Sequence, residues 1–391
     1  MMTIGQTLFI ASALVSSGHY FAQGLSSQVV ANSAPHVAAS QIRSLLTENQ
    51  YGSGTWGTRG DLMGLLVRLA FHDGATFDPG NSTAKTTGGS DGCVDLKSPE
   101  NKGLQEAIDL LEPIHESVSD ELSRGDVWAL AANVMIEEAG GPPLEYRKGR
   151  IDADLPYGCA GQGTRHVGAE TTSSEKTAQV LVDRLNLTHS QVVALIGAHV
   201  LGKATKENSG YEGRWVSEND KFTNAYFVDL VHKPWIQQTE TVEGFGKRTT
   251  WQLFEDGNMA LEEEIMLQTD VDLAYQTTGG FFCSRVGGTF RKDTSCPNAT
   301  HGFSDHVRTF AANQSFWFSE FALGWSRLTS MTTANLECVM PSCETPREED
   351  FPASSASSYT LVSFLRGASV ADLGSAIATA LSVSSFWWFL V

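Results

Sequence analysis

Between about residues 40 and 335 the chain alternates apolar runs at helical spacing with glycine-rich loops, and few stretches show the period-two alternation of half-buried strands. This pattern predicts a mainly α domain. The clearest helical segments are Arg43–Glu48, Asp61–Phe71, Gly103–Ser119, Arg124–Glu138, Ser174–Leu185 and Ser190–His199. Thr188 with Gln191 and Ser123 with Asp126 have the spacing of capping boxes, in which each side chain satisfies a free amide of the first turn.

The pattern changes at both ends. Beyond Cys343 the sequence turns to Glu and Pro and then to Ser, so residues 346–372 are expected to be a linker closing a domain that runs over 23–345. Residues 373–391 are almost wholly apolar and carry no charge. The chain stops inside that run, and Gly367, Ala368 and Ser369 supply small residues before it, the arrangement of a lipid-anchor signal. A retained membrane helix and a soluble amphipathic end are the competing readings. At the other end Leu8–Val15 is a short apolar run followed by small residues, and residues 1–22 are expected to be a secretory signal peptide, although no Lys or Arg precedes the run.

At 391 residues, with 41% hydrophobic and 18% charged positions, the chain fits an ordinary globular protein, as one large domain or two lobes about a buried centre. A net charge of -18 argues against nucleic acid as a partner. Asn81, Asn186, Asn298 and Asn313 each begin a glycosylation acceptor pattern, which supports a secretory route. The six cysteines form no CxxC pair. Disulfides are the favoured reading over buried thiols: short loops favour Cys283 with Cys296 and Cys338 with Cys343, leaving Cys93 for Cys159.

Two apolar helices carry polar residues that need an explanation. Arg68 and His72 lie four apart, on one face of a helix otherwise built from Leu69, Ala70 and Phe71, and Gly74 follows as a terminator. Taken alone they could be a snorkelling Arg and a satisfied core His. His199 is the single ionisable group of the apolar stretch Val192–Leu201. By itself it reads as a hydrogen-bonded core residue more readily than as a metal ligand.

The wider sequence decides between these readings. Gly197–Lys203, Asn208–Trp215 and Phe222–Asn224 resemble the plant, fungal and bacterial haem peroxidase superfamily, and within it the cytochrome c peroxidase branch. Arg68–Asp73, Asn101 with Gly103–Gln105, Leu111–His115 and Gly149–Asp152 fall in the same order, so the resemblance covers about residues 40–335. It implies a mainly α fold with two helical lobes, distal over about 40–155 and proximal over about 165–335, enclosing one haem b. By that resemblance His199 is the iron ligand, and Asp270 accepts from its other ring nitrogen. Phe71 lies over the haem. His72 takes the proton from bound hydrogen peroxide and returns it to the leaving oxygen, Arg68 stabilises the developing charge, and Asn101 orients His72. The implied activity is reduction of peroxide to water through a ferryl state, coupled to oxidation of a small-molecule or protein donor.

Trp215 stands where the cytochrome c peroxidase branch carries a tryptophan oxidised to a radical; a packing role is the alternative. Val200 and Thr223 replace the hydroxyl and carboxylate of the cation site that the ascorbate branch has nearby, which favours the radical. Asn208 and Gly60 stand where ascorbate users carry Arg and Lys, so ascorbate is a poor donor. The usual Arg-Leu-Pro loop is replaced by Tyr157–Gly161. Phe71 matches the secreted branches. Asp73, Gly89 and Asp91 resemble a distal calcium loop, so one calcium ion joins haem b among the expected cofactors, although Cys93 replaces a serine ligand. The resemblance implies a peroxidase, and the two chain ends with the acceptor patterns give it an expected place at the cell surface or outside the cell, with a mitochondrial location as the alternative. The competing functions are a catalytically silent haem-binding surface domain and a hydrolytic metal centre, and no zinc-ligand spacing supports the latter.

Overall fold

The computed structural model describes residues 33–47, 57–78, 88–153, 174–255, 258–259, 264–275, 284–286, 289–291, 299, 302–332 and 334–339. The proposed signal peptide, linker and apolar tail lie outside these residues, as do Asn81, Asn298 and the Tyr157–Gly161 loop. Backbone contacts group residues Met1–Cys343 into one unit and Glu344–Val391 into another.

Eleven helices occur among the described residues. They are α1 Ala34–Ser44, α2 Arg59–Gly74, α3 Leu104–Val118, α4 Arg124–Glu138, α5 Ser174–Leu185, α6 His189–Ile196, α7 Lys206–Ser209, α8 Ala225–His232, α9 Gln268–Ala274, α10 Ser304–Ala312 and α11 Gln314–Thr329. The mainly α class is that of the sequence reading. Both expected capping boxes are present: Ser123 starts α4 and Thr188 starts α6. A third box, Thr58 with Asp61, begins α2 two residues ahead of the expected start.

Two expectations need correction. The first helix is Ala34–Ser44, not Arg43–Glu48. Pro35 in its first turn starts it early, and Ala34, Ala38, Ala39 and Ile42 form a narrow buried stripe of small residues with little hydrophobic contrast. Strand content was also underestimated. β1 (Lys203–Ala204) pairs with β2 (Gly213–Arg214), and a long hairpin joins β3 (Trp235–Val242) to β4 (Gly246–Glu255). β4 also pairs with β5, Ile265–Leu267. Much of β3 is Gln, Thr and Glu facing water, so no apolar alternation marks it.

The core brings the helices together in a way that sets up two facing elements. α2 packs on α4 and also meets the 3-10 turn Gly197–Val200 that continues α6. The approach is close because neither chain has a side chain where they cross: a Cβ on Gly64 would lie 2.7 Å from the Cα of Gly202. Gly202 has φ +77°, a conformation that glycine adopts without strain. A stack of buried aromatics, Phe222, Phe227, Trp317 and Phe321, supports α6 from behind, and the Trp317 indole N–H donates to Ala194 O at 3.0 Å.

Candidate active site

One group of candidate residues gathers at the end of α2. His72 is buried there, and its Nδ1 lies 2.7 Å from Asn101 Oδ1. The Asn101 amide nitrogen donates to Asp95 O at 3.0 Å, so its carbonyl oxygen is the atom turned toward His72. An acceptor at that place requires the proton on His72 Nδ1, which makes Nε2 the basic nitrogen of the neutral ring. Asn101 closes the 3-10 turn Pro99–Asn101.

Arg68 is tied to the same turn. Its guanidinium donates to Glu100 O at 2.6 Å and to Lys102 O at 3.1 Å. Burial pushes its pKa down to about 10, and among the described residues no carboxylate forms an ion pair with it. A half-buried cation held by carbonyl dipoles retains its capacity to stabilise an incoming negative charge. Three consecutive residues, 100–102, therefore hold both Arg68 and His72. Phe71, between them in sequence, is half-buried and packs against the core edge.

The second group centres on Asp270, in the first turn of α9. One carboxylate oxygen accepts from the Tyr226 hydroxyl at 2.8 Å and lies 3.0 Å from His199 Nδ1. The other accepts from the Trp215 indole N–H and the Leu267 amide, both at 2.8 Å. Burial raises the Asp270 pKa, but the charge and hydrogen bond of His199, with the Leu267 and Trp215 bonds, outweigh it and hold the carboxyl below its usual range. Tyr226 is pushed well above its ordinary value by burial and by Asp270, so it stays a neutral donor.

Trp215 is buried and its ring stacks on His199, with centroids 4.3 Å apart and planes 21° from parallel. The His199 side chain nevertheless remains 36% exposed. Its Nδ1 edge is locked to a buried carboxylate, and Nε2 is left as the donor. An imidazole so oriented is the donor type that would hold a haem iron, and this chain's residues fit that cofactor.

Asp73 occupies a separate place. Its carboxylate accepts from the backbone amides of Asp91 at 3.3 Å, Gly92 at 3.1 Å and Cys93 at 3.2 Å. Gly89 donates to Thr76 Oγ1 at 2.9 Å, and Asp91 O accepts from Ala153 N at 2.8 Å. Among the described residues no group of three or more His, Cys, Asp or Glu is arranged to hold a metal ion. Cys93 and Cys338 are each disulfide-bonded, and the remaining cysteines lie outside the described residues.

The replaced positions are equally informative. Asn208 packs against Gly103, where a Cβ would lie 2.4 Å from its amide nitrogen, and the glycine has φ +86°. Val200 is fully buried, and the Thr223 hydroxyl accepts from Ala225 N. Tyr226 and the carbonyls of Asp95, Glu100 and Lys102 escape the sequence reading. Tyr226 follows the Phe222–Asn224 stretch by two residues and could have been found there; backbone carbonyls carry no side-chain signature.

With this geometry in view, the chain matches the family model described as Peroxidase over residues 41–284. It is 36% identical over 197 residues to "Cytochrome c peroxidase, mitochondrial" of Emericella nidulans, covering 49% of this chain and 50% of that protein. It is 36% identical over 183 residues to "L-ascorbate peroxidase 5, peroxisomal" of Arabidopsis thaliana, covering 45% and 61%. It is 28% identical over 268 residues to "Cytochrome c peroxidase, mitochondrial" of Candida albicans, covering 68% and 63%. The matched stretch thus spans about half the length of the first of these relatives and less than two thirds of the other two.

Proposed function

The chain belongs to the peroxidase family, and on that premise we propose that it is a haem peroxidase, reducing hydrogen peroxide to water and oxidising an electron donor. The observation that carries this reading is the pair of oriented imidazoles: His72 with its Nδ1 on the Asn101 carbonyl, and His199 with its Nδ1 on the Asp270 carboxylate. When bound, haem supplies the iron that takes up peroxide and the conjugated ring that shares its oxidising equivalents.

The chain's own residues do the proton work. His72 Nε2 accepts the proton of the oxygen that binds and delivers it to the oxygen that leaves, so one imidazole acts as base and then acid. Asn101 keeps the ring in the tautomer that permits this. Arg68 faces the charge that builds as the oxygen–oxygen bond breaks. His199 holds the iron, and the ionised Asp270 makes that imidazole a stronger donor. Trp215, stacked on His199 with its N–H on a carboxylate, sits where an adjacent negative charge favours loss of an electron from the indole, so it serves as the electron store.

The location proposed is the secretory pathway and cell surface, supported by residues 1–22, the acceptor patterns and the apolar stretch 373–391. Asn186 and Asn313 are both exposed, the former in a left-handed conformation. Among the described residues no helix is long and apolar enough to cross a membrane. Release of active protein from intact cells by a phospholipase is expected, and co-fractionation with mitochondria would refute this location. Phenols, other small reductants, Mn(II) and protein donors are the classes to compare at fixed peroxide.

For the chemistry, absorption spectroscopy and stopped flow with His72→Leu give the test. Haem binding should persist, with a Soret band, while the peroxide reaction slows by about two to four orders of magnitude. A wild-type rate in that variant would remove His72 from the proposed role, and a wild type that binds haem but ignores peroxide would favour the silent haem-binding domain.

A further inference from the structure

His72 and Asp73 are neighbours in sequence but face different partners. The His72 ring reaches Asn101, and Asn101 reaches the carbonyl of Asp95. Two residues before Asp95 stands Cys93, whose amide, with those of Asp91 and Gly92, points at the Asp73 carboxylate. The circuit therefore closes on itself: His72, Asn101, Asp95, Cys93, Asp73 and back along the chain to His72.

The segment 91–95 is the span of this circuit, and Asp73 is the side chain of α2 that holds it, beside the backbone bonds Ala153 N to Asp91 O and Ser90 N to Met331 O, each at 2.8 Å. Locally, Ser98 N and Asn101 N keep the 95–101 turn wound by donating to Asp95 O and Ser98 O, each at 3.0 Å. Those bonds give the turn its shape but do not attach it to α2. Residues 100–102 bond directly to Arg68 and His72 of α2, the three amides on Asp73 attach the preceding segment to the same helix, and the backbone is built to aim them. Gly92 has φ +66°, and a Cβ there would lie 2.7 Å from an Asp152 carboxylate oxygen; Gly89 has φ +94°, with Met331 O at 2.0 Å from the corresponding point. Asp73 is 1% exposed and Cys93 fully buried, so water cannot replace these bonds. The same turn carries the two carbonyls that hold Arg68.

We propose that Asp73 is a positioning residue for the peroxide-cleaving pair, setting His72 and Arg68 through backbone amides of the 91–95 segment and the 95–102 turn. This rests on the peroxidase reading above. The three N–H groups occupy most of the carboxylate's acceptor sites, and burial together with the neighbouring Asp91 carboxylate pushes the Asp73 carboxyl well above its usual range. Cys93 is itself disulfide-bonded.

The test is Asp73→Asn in the haem-loaded full chain. An amide offers one acceptor oxygen and turns an NH2 group toward at least one of the three N–H donors. Amide exchange in peptides covering 91–101 should accelerate at least about tenfold, while exchange in α6 and α9 stays unchanged. kcat/KM for peroxide should fall about tenfold or more, because small misplacement of a proton-transfer group is costly, whereas kcat at saturating peroxide and the Soret absorbance per chain stay within about twofold. A general loss of structure would lower all of these together and would overturn the proposal.

Wild-type kcat/KM for peroxide despite faster exchange at 91–101 would also overturn it. So would calcium chloride slowing that exchange in the wild type, since a cation would then be the holder. If Asp73→Asn does not load haem, Asp73→Glu, which lengthens the side chain and misplaces the carboxylate, decides: the same selective gain in exchange with a lower kcat/KM supports the circuit, and no change in either refutes it. If the wild type itself fails to react with peroxide, the enzymatic reading falls, and the exchange of 91–101 still reports on the circuit by itself.

Discussion

Replacing Asp270 by Asn probes the most heavily bonded side chain of the site. Its two oxygens accept from four donors, at 2.8 Å from Tyr226, Trp215 and Leu267 and 3.0 Å from His199. Asparagine keeps one oxygen, so two of the four donors face an NH2 group instead. A stranded buried donor costs about 1–3 kcal/mol, and the Tyr226 hydroxyl can rotate away where an indole or amide cannot, so a total near 2–4 kcal/mol is expected. Urea unfolding of the haem-loaded protein followed by circular dichroism measures it, and Tm should drop by roughly 4–10 °C. The pH dependence has a definite sign. The folded carboxyl titrates below its ordinary value, so the stability from ionised Asp270 is fully present above the unfolded pKa, about 4, and is lost as pH falls through the folded one. The gap between wild type and variant should therefore be widest near neutral pH and narrow below about pH 4. An Asp270→Asn protein within about 0.5 kcal/mol of wild type at neutral pH would show that these four bonds do not hold the site together.

Three further outcomes follow from other residues. Asn101→Leu removes the acceptor on His72 Nδ1, lets the ring take either tautomer, and should slow the peroxide reaction about 10–100-fold with the Soret band intact; an unchanged rate refutes the tautomer argument. Gly64→Ala forces a Cβ to 2.7 Å from Gly202 Cα, so a loss of about 1–3 kcal/mol with weaker haem retention is expected, measured by thermal melting and haem transfer to apomyoglobin. Burial raises Asp272 to about 6, so its neutral form is favoured on folding and that contribution fades as pH rises through this value. Asp272→Asn keeps an acceptor for Gln268 and should stabilise the protein by roughly 2 kcal/mol at neutral pH, with the gain vanishing below about pH 4; equal gains at both pH values would refute the assignment.

Much of this protein was legible in its sequence, for reasons that differ by residue. Helix starts are local, so Ser123 with Asp126 and Thr188 with Gln191 could be read from spacing. The isolated Arg68, His72 and His199 stood out because burial of a charge or an imidazole on an apolar helix needs a partner. The β3–β4 hairpin did not show, because its strands are mostly polar and owe their stability to pairing with each other and with β5. α1 was misplaced because alanines give a weak periodic contrast.

Pattern and spacing thus determined, by themselves, a mainly α chain, its family resemblance, and which side chains were out of keeping with their apolar surroundings. Only the tertiary structure decided how those side chains are oriented. The proton on His72 is set by an amide twenty-nine residues away, itself turned by a backbone carbonyl, and His199 is set by a carboxylate seventy-one residues on. Arg68 and Asp73 find backbone groups from segments far along the chain. Every residue has the same amide and carbonyl, so where a chain aims them is a property of the fold and is not written in any side chain.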